Sequence, residues 1–429
     1  MLVDTRGRAV LAVLGVLLVA ACLRPAITAV GPVLRQIGLD TGLGSGALGL
    51  LAALPLLAFA GVSPLSQLAA RRFGTDRMVF IALGVLALGL LLRSLPVPGL
   101  LWVGTVGIGV GVAVGNVLVP AVVKRDFAGH IPRLTGSYTA TMNTFAALAS
   151  GLSVPIAAWA IGGWRIAIGI WIVPAVLALV VWAARMRRVS SLPPLPGQTA
   201  VDHAPVDHGS SEIASVDQRG ADHRSVDHGR RSAAADRATA RPMLRSALAW
   251  QVTLHMGLQS TVFYTLVNWL PSMEADRGVP AGTSGAHLFV YQLVGIGAAF
   301  GVSLLMSRRR DQRLIAIMVA APMVVALLGI LLLPQLTALW MIFAGMTSGS
   351  AIALALALIG LRTRNPRDTA RLSGMAQGIG YLLAACGPIA AGAIRGATGS
   401  WVPVIILLIG LTVAQGISGA LAGRNRTIG

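Results

Sequence analysis

Few residues of this chain could do chemistry, and Arg24 is the first of them. It stands inside the apolar run Val19–Val33. A guanidinium keeps its charge when buried, because its pKa is too high to escape by deprotonation. Placing it near the centre of a spanning helix costs roughly 2.5–3.5 kcal/mol on insertion scales. The natural remedy is a carboxylate, yet the 15 acids fall at Asp4, Asp40, Asp76, Asp126, Glu274, Asp276, Asp311, Asp368 and seven positions between 185 and 245. None lies inside an apolar stretch as read below. Two roles are therefore open to Arg24: contact with an anionic ligand, or a clamp on carbonyls of neighbouring helices. Pro25 follows it and should bend the helix by freeing the carbonyl of Ala21. The missing buried acid also counts against carboxylate-based proton coupling and against a cationic substrate.

Other interior polar groups are weaker signals. His255 is a candidate proton carrier, since histidine titrates near neutral pH, or equally a neutral core residue. Asn116, Asn143, Gln259, Tyr264, Asn268, Gln377 and Tyr381 recur at mid-stretch beside Tyr291 and Gln292. Each needs a partner in a dry interior, and several converging would make a hydrogen-bonding site around one positive charge. Packing between helices is the plain alternative for each. Gly107, Gly111 and Gly115, at spacing four, read as a close-packing face. No phosphate-binding glycine loop, nucleophile–base pair or metal-ligand cluster stands out, so neither an ATP-driven pump nor an enzyme is expected, and no cofactor or metal. Cys22 and Cys386 suggest no disulfide framework.

These residues sit in elements of a recognisable kind. The 429-residue chain is 55% hydrophobic and only 11% charged, against about 25% charged for a soluble domain. Twelve apolar stretches are long enough to span a bilayer: about 9–34, 47–70, 78–95, 99–123, 135–160, 166–184, 246–271, 285–306, 314–333, 337–361, 372–394 and 401–422. Backbone groups in hydrocarbon must bond within their own segment, so the expected fold is an all-α polytopic membrane protein. Lys and Arg total 34 against 15 acids, a net charge of +19. Eighteen of the basic residues crowd the termini and every second loop, ten lie between 185 and 245, and five occupy the opposite loops and helix ends. That asymmetry puts both termini in the cytoplasm and removes the nucleic-acid reading of the charge. Arg6, Arg8 and Val19-Ala20-Ala21-Cys22 imitate a lipoprotein signal, but cleavage there would delete the first span, so it is read as retained.

Three regions follow: a six-helix bundle over 1–184, a polar linker over 185–245 and a second six-helix bundle over 246–429. The linker repeats Asp-His pairs at a period of five, Val201-Asp202-His203, Val206-Asp207-His208, Ala221-Asp222-His223 and Val226-Asp227-His228. It lacks aromatics and is expected to be disordered, with weak metal chelation as the minority reading.

Several motifs also resemble a known family. Leu23-Arg24-Pro25 with Val30-Gly31-Pro32, Gly115-Asn116-Val117-Leu118 with Pro120, Lys124 and Phe127, Trp164-Arg165, Phe263-Tyr264 with Trp269-Leu270-Pro271, and Met375-Ala376-Gln377 with Gly380-Tyr381 and Gly387-Pro388 resemble the cyanate/nitroimidazole transporter family of the major facilitator superfamily. The resemblance spans both halves outside the linker. It implies two six-helix bundles, alternating access and a small anionic or heteroaromatic substrate. The loop after the second span departs from the superfamily pattern: Arg71-Arg72-Phe73-Gly74 has arginine where an acid is expected, and the acid comes later, at Asp76. Gating at this loop is therefore assigned to Arg71, Arg72, Asp76 and Asp126. The sequence reading is a monomeric inner-membrane transporter of a small molecule, lipid-embedded, with a coupled proton as an open possibility. Efflux of lipophilic toxic compounds is the alternative, and a non-transporting receptor the third.

Overall fold

The computed structural model describes residues 2–127, 131–190, 243–309 and 311–428. Among them every long element is helical, and the helices make twelve long spans. The first span is broken into α1 (Leu2–Leu23), α2 (Pro25–Thr28), a 3₁₀ turn (Gly31–Val33) and α3 (Leu34–Thr41). Next come α4 (Ser45–Phe73), α5 (Thr75–Ser94), α6 (Leu100–Asp126) and α7 (Ile131–Trp159); the sixth span is α8 (Trp164–Gly169) with α9 (Ile172–Ser190). The second set is α10 (Ala247–Ala275), α11 (Ala281–Ser307), α12 (Arg313–Leu332), α13 (Thr337–Leu361), α14 (Pro366–Thr398) and α15 (Val402–Ala422). The Asp-His repeats at 201–228 lie outside the described residues.

Among the described residues ten spans are long and apolar enough to cross a membrane by length and composition. The other two, α7 and α10, hold much of the interior polarity, including Asn143, Ser150, His255, Gln259 and Asn268. Most helix ends fall within a few residues of the apolar limits, with three instructive exceptions. The first span runs on to Thr41 after its breaks. The eleventh starts six residues early, because Asn365 caps it by accepting from the Asp368 amide at 2.8 Å and Pro366 occupies the first helical position. The seventh passes through Pro271 to Ala275 and so takes Glu274 into the helix. Between α4 and α5 the link is Gly74 alone, whose φ of 89° a side chain would oppose.

The two sets form two six-helix bundles that carry a matching device. Near the end of the first span Asp40 pairs with Arg165 at 2.7 Å and accepts from the Trp164 indole at 3.3 Å. Just after the seventh span Asp276 pairs with Arg395 at 2.8 Å and accepts from the Trp401 indole at 2.8 Å. The tryptophans sit at the sixth and twelfth spans in turn, as parallel repeats predict. These devices mark one face of the molecule; the α4–α5 link and both chain ends mark the other, here called the termini face.

The bundles meet most closely on the face opposite the termini. A Cβ on Gly49 of α4 would come 2.5 Å from the Pro388 carbonyl oxygen of α14, and one on Gly31 would overlap the Val267 carbonyl of α10. Glycine is required at both places to let backbone meet backbone. Between them runs a polar seal. Gln292 of α11 donates to the Ala146 carbonyl at 3.1 Å and to the Ser150 hydroxyl at 2.6 Å, both on α7. Ser150 in turn donates to the Thr28 carbonyl at 3.3 Å, and Thr28 donates to the Ala146 carbonyl at 3.2 Å.

Candidate functional site

The break in the first span is what presents Arg24. Pro25 has no amide hydrogen, so the helical ladder stops after Leu23 and restarts with the amides of Ile27 and Thr28 bonding to the Arg24 carbonyl, each at 3.0 Å. The side chain is half-buried. Its Nη1 donates to Asn143 Oδ1 of α7 at 2.7 Å, and its guanidinium lies 5.4 Å from the centre of the Phe263 ring on α10. Arg24 thus touches both bundles. Among the described residues no carboxylate pairs with it, so its charge is solvated by one amide, one aromatic face and an open space.

That space is a cavity of about 430 Å³ between the bundles, within the range of small-molecule sites. Arg24, Asn116, Asn143, Tyr264, Gln377 and Tyr381 all line it. It reaches Gly136 near the start of α7 and Ser303 near the end of α11, so it extends toward the termini face and stops below the Gln292 seal. Asn116 donates to the Val112 carbonyl of its own helix at 3.0 Å, and Gln377 donates to the Ser373 hydroxyl at 2.9 Å, leaving both side-chain oxygens as acceptors for a guest. Tyr381 packs its ring 4.1 Å from that of Phe59, and Tyr264 stands edge-on to Phe263 at 5.0 Å.

Other sequence candidates lie elsewhere. Gln259 is buried and donates to the Ser260 hydroxyl at 2.6 Å, away from the cavity wall. Asn268 is buried one turn beyond Tyr264, toward the opposite face, and donates to the Tyr264 carbonyl at 2.7 Å. His255 is fully buried within the second bundle, with Nδ1 3.1 Å from the Gln415 carbonyl oxygen and its ring against Gly419. Asp76 and Asp126 do come together, with two arginines the sequence reading did not name as gating residues. Arg125 meets Asp76 at 2.8 Å and Asp126 at 2.6 Å, while Arg185 meets Asp76 at 3.1 Å and also pairs with Asp126. Arg185, the first linker residue by sequence, instead extends α9 and stacks on Trp182 at 4.6 Å. Arg72 is exposed over its neighbour Phe73 at 5.5 Å, and the Arg71 side chain lies outside the described residues.

One expectation is corrected. Glu274 is a buried helical carboxylate, 1% exposed, and its Oε1 lies 2.6 Å from Nδ1 of His287. The sequence hid it because the apolar run was ended at Pro271, although a proline near a helix end is tolerated inside a bundle. Arg93, which the sequence places at a helix end, is buried too, at 1% exposure.

Two helical bundles around a central cavity, closed on one face and open toward the other, define an alternating-access membrane transporter. The comparisons give the family. The sequence matches the Major Facilitator Superfamily over residues 16–388, and the chain belongs to that family. It is 37% identical over 415 residues to the 2-nitroimidazole transporter of Escherichia coli (strain K12), covering 96% of this chain and 95% of that protein. It is 26% identical to the cyanate transport protein CynX of the same organism, covering 92% and 94%. Among solved structures, a bacterial homologue of the lysosomal transporter Spinster superposes with a TM-score of 0.70 at 13% identity, covering 97% of both chains. That last likeness speaks to the fold alone.

Proposed function

We propose that this chain carries a small anion or a small polar heterocycle across the bacterial inner membrane as a monomer, by rocking bundles 1–184 and 246–429 about the cavity. The carrying observation is Arg24: a half-buried guanidinium with no carboxylate partner among the described residues, facing a cavity whose amide oxygens and phenols can complete a ligand's hydrogen bonds. A positive charge held by only one neutral acceptor favours a guest that brings negative charge or nitro-type oxygens. The two relatives named above are a cyanate and a nitroimidazole transporter, and both names point to small solutes with electron-rich nitrogen or oxygen ends. Asn116, Asn143, Gln377, Tyr264 and Tyr381 supply the contacts around Arg24. Gln259 and Asn268 act from behind the wall.

The distribution of basic residues supports a cytoplasmic termini face, with both ends of the chain inside. The cavity then opens inward. The cluster of Asp76, Asp126, Arg125 and Arg185 ties α5, α6 and α9 of the first bundle together, and its part in gating is to keep that bundle rigid at the inner face. The Glu274–His287 pair, which ties the outer end of α10 to α11, is the geometric candidate for a coupled proton. Neighbouring Arg277 is engaged with the Ile330 carbonyl at 3.1 Å and Asp276 with Arg395, so neither competes for it. Glu274→Gln should flatten the pH dependence of net uptake while leaving substrate exchange intact; an unchanged pH profile removes the pair from coupling.

The apolar share of the wall, Leu23, Ile27, Leu56, Val112 and Met256 among it, favours the second reading, export of lipophilic compounds. Thermal stabilisation of the purified protein separates the two. Cyanate and 2-nitroimidazole should raise the melting temperature of the wild type and not of Arg24→Ala. Stabilisation by lipophilic cations alone, indifferent to Arg24, selects the export reading.

A further inference from the structure

We propose that Arg93 is a second anion station, reached from the opposite face when the bundles part there, and that it passes its guest to Arg24. The inference rests on the anion reading above. Arg93 stands in the last turn of α5 and is 1% exposed. Its Nη1 donates at 2.7 Å to the carbonyl of Ala26, two residues from Arg24, on the short helix α2. Nε and Nη2 are buried with no hydrogen-bond partner among the described residues, and no carboxylate there pairs with the group. The C-terminal end of a helix favours a cation by only about 0.3–1 kcal/mol. Burying an unpaired ion costs several kcal/mol, so one carbonyl is poor compensation for a fixed charge.

What faces the free donors is informative. Arg93 lines a small cavity of about 10 Å³ with Thr105, Ile27, Leu51, Ile168 and Asn268. Thr105 directs its hydroxyl to the Leu101 carbonyl at 2.6 Å. Asn268 Oδ1, like the Arg93 donors, is buried without a partner among the described residues. Asn268 is also the sole contribution of the second bundle to this wall; the other lining residues come from the first. Its amide is tied to its own helix, through the Tyr264 carbonyl at 2.7 Å, so it travels with that bundle.

The consequence follows from alternating access. In this conformation the space is about that of one water molecule, too small for a triatomic anion. When the bundles separate on the opposite face, Asn268 withdraws and the two free donors of Arg93 look into the opening. Arg93 and Arg24 then stand at successive points along α2, one bonded to Ala26 and the other preceding Pro25, and an anion moves from the first to the second as the face closes. The station is therefore sided: it serves entry from the opposite face and is hidden during loading from the termini face.

The test is sided kinetics of labelled cyanate in proteoliposomes holding the full chain in one orientation. Arg93→Met, which keeps the length of the side chain and removes its charge, should raise KM for entry from the opposite face about tenfold, the loss of one charged hydrogen-bonding group. KM for loading from the termini face should stay within about twofold. Equal changes on both faces, or a lower maximal rate with KM unchanged, leave Arg93 as a structural tether of α2 and overturn the station. Should Arg93→Met fail to insert, Asn268→Asp carries the test by setting a carboxylate beside the intact Arg93. It should raise KM on the opposite face only, and an unchanged KM overturns the station. If the wild type moves no cyanate saturably, the anion reading falls and the station with it. If Arg24→Lys raises KM on both faces while the Arg93 and Asn268 variants act on neither, the station alone fails.

Discussion

Arg24 is held by two groups of different kind, and each makes a separate prediction. Asn143 fixes the direction of the guanidinium fork through a 2.7 Å bond. Asn143→Leu should leave the charge but free its orientation, weakening cyanate-induced stabilisation about five- to tenfold in ligand concentration, the scale of one charge-assisted hydrogen bond. Phe263 contributes its ring face at 5.4 Å. Phe263→Leu should cost about 0.5–1 kcal/mol, a few-fold in affinity, measured in the same titration. At this scale the sequence is legible where chemistry is scarce. A lone arginine in an apolar run announces itself, and five of the seven residues chosen around it line the cavity with it. Gln259 and Asn268 look the same in sequence as Gln377 and Asn143, because composition does not say which interior face of a helix meets a space and which meets a neighbour. Glu274 and Arg93 escaped for the opposite reason: each sits near a helix end, where a charge ordinarily reaches water.

The elements decide how close the bundles come. Gly31 belongs to the broken first span and rests on the Val267 backbone, so the break serves two ends: it turns Arg24 into the cavity and lets the span touch α10. Gly31→Leu should prop the opposite face open. A cysteine at Asn268 in that background should then react with an external membrane-impermeant thiol reagent several-fold faster than in the parent; equal rates would mean that the contact does not govern closure. On the termini face the ion cluster predicts stability rather than affinity. Asp126→Asn strips a partner from Arg185, whose side chain is 6% exposed. Removing one partner of a buried pair costs about 3–5 kcal/mol, and the remaining Asp76 should hold the loss below that. The melting temperature should fall, and the added change Arg185→Met should recover part of it. The helix count and most helix limits could be read from apolar length. The continuation of α10 past Pro271 could not, since hydropathy sees the proline and the charges beyond it and not the bundle that shelters them.

For the whole molecule, two similar bundles with matching Asp–Arg–Trp devices and a central cavity make a transporter of the Major Facilitator Superfamily. The bundles touch through α4 with α14 and α7 with α11; in the proposed rocking each moves as a unit, so the segment between them need not shape the site. Deleting residues 191–240 should leave cyanate or 2-nitroimidazole exchange within about twofold of the full chain, and loss of exchange with normal insertion would assign the segment a direct role. The central claim is that Arg24 holds the substrate, and counterflow of labelled cyanate in proteoliposomes tests it most directly. Wild-type protein should accumulate label saturably. Arg24→Lys should keep part of the exchange at about tenfold higher KM, having charge without the planar fork, and Arg24→Ala should show none. Exchange by Arg24→Ala at the wild-type rate and KM would contradict the account.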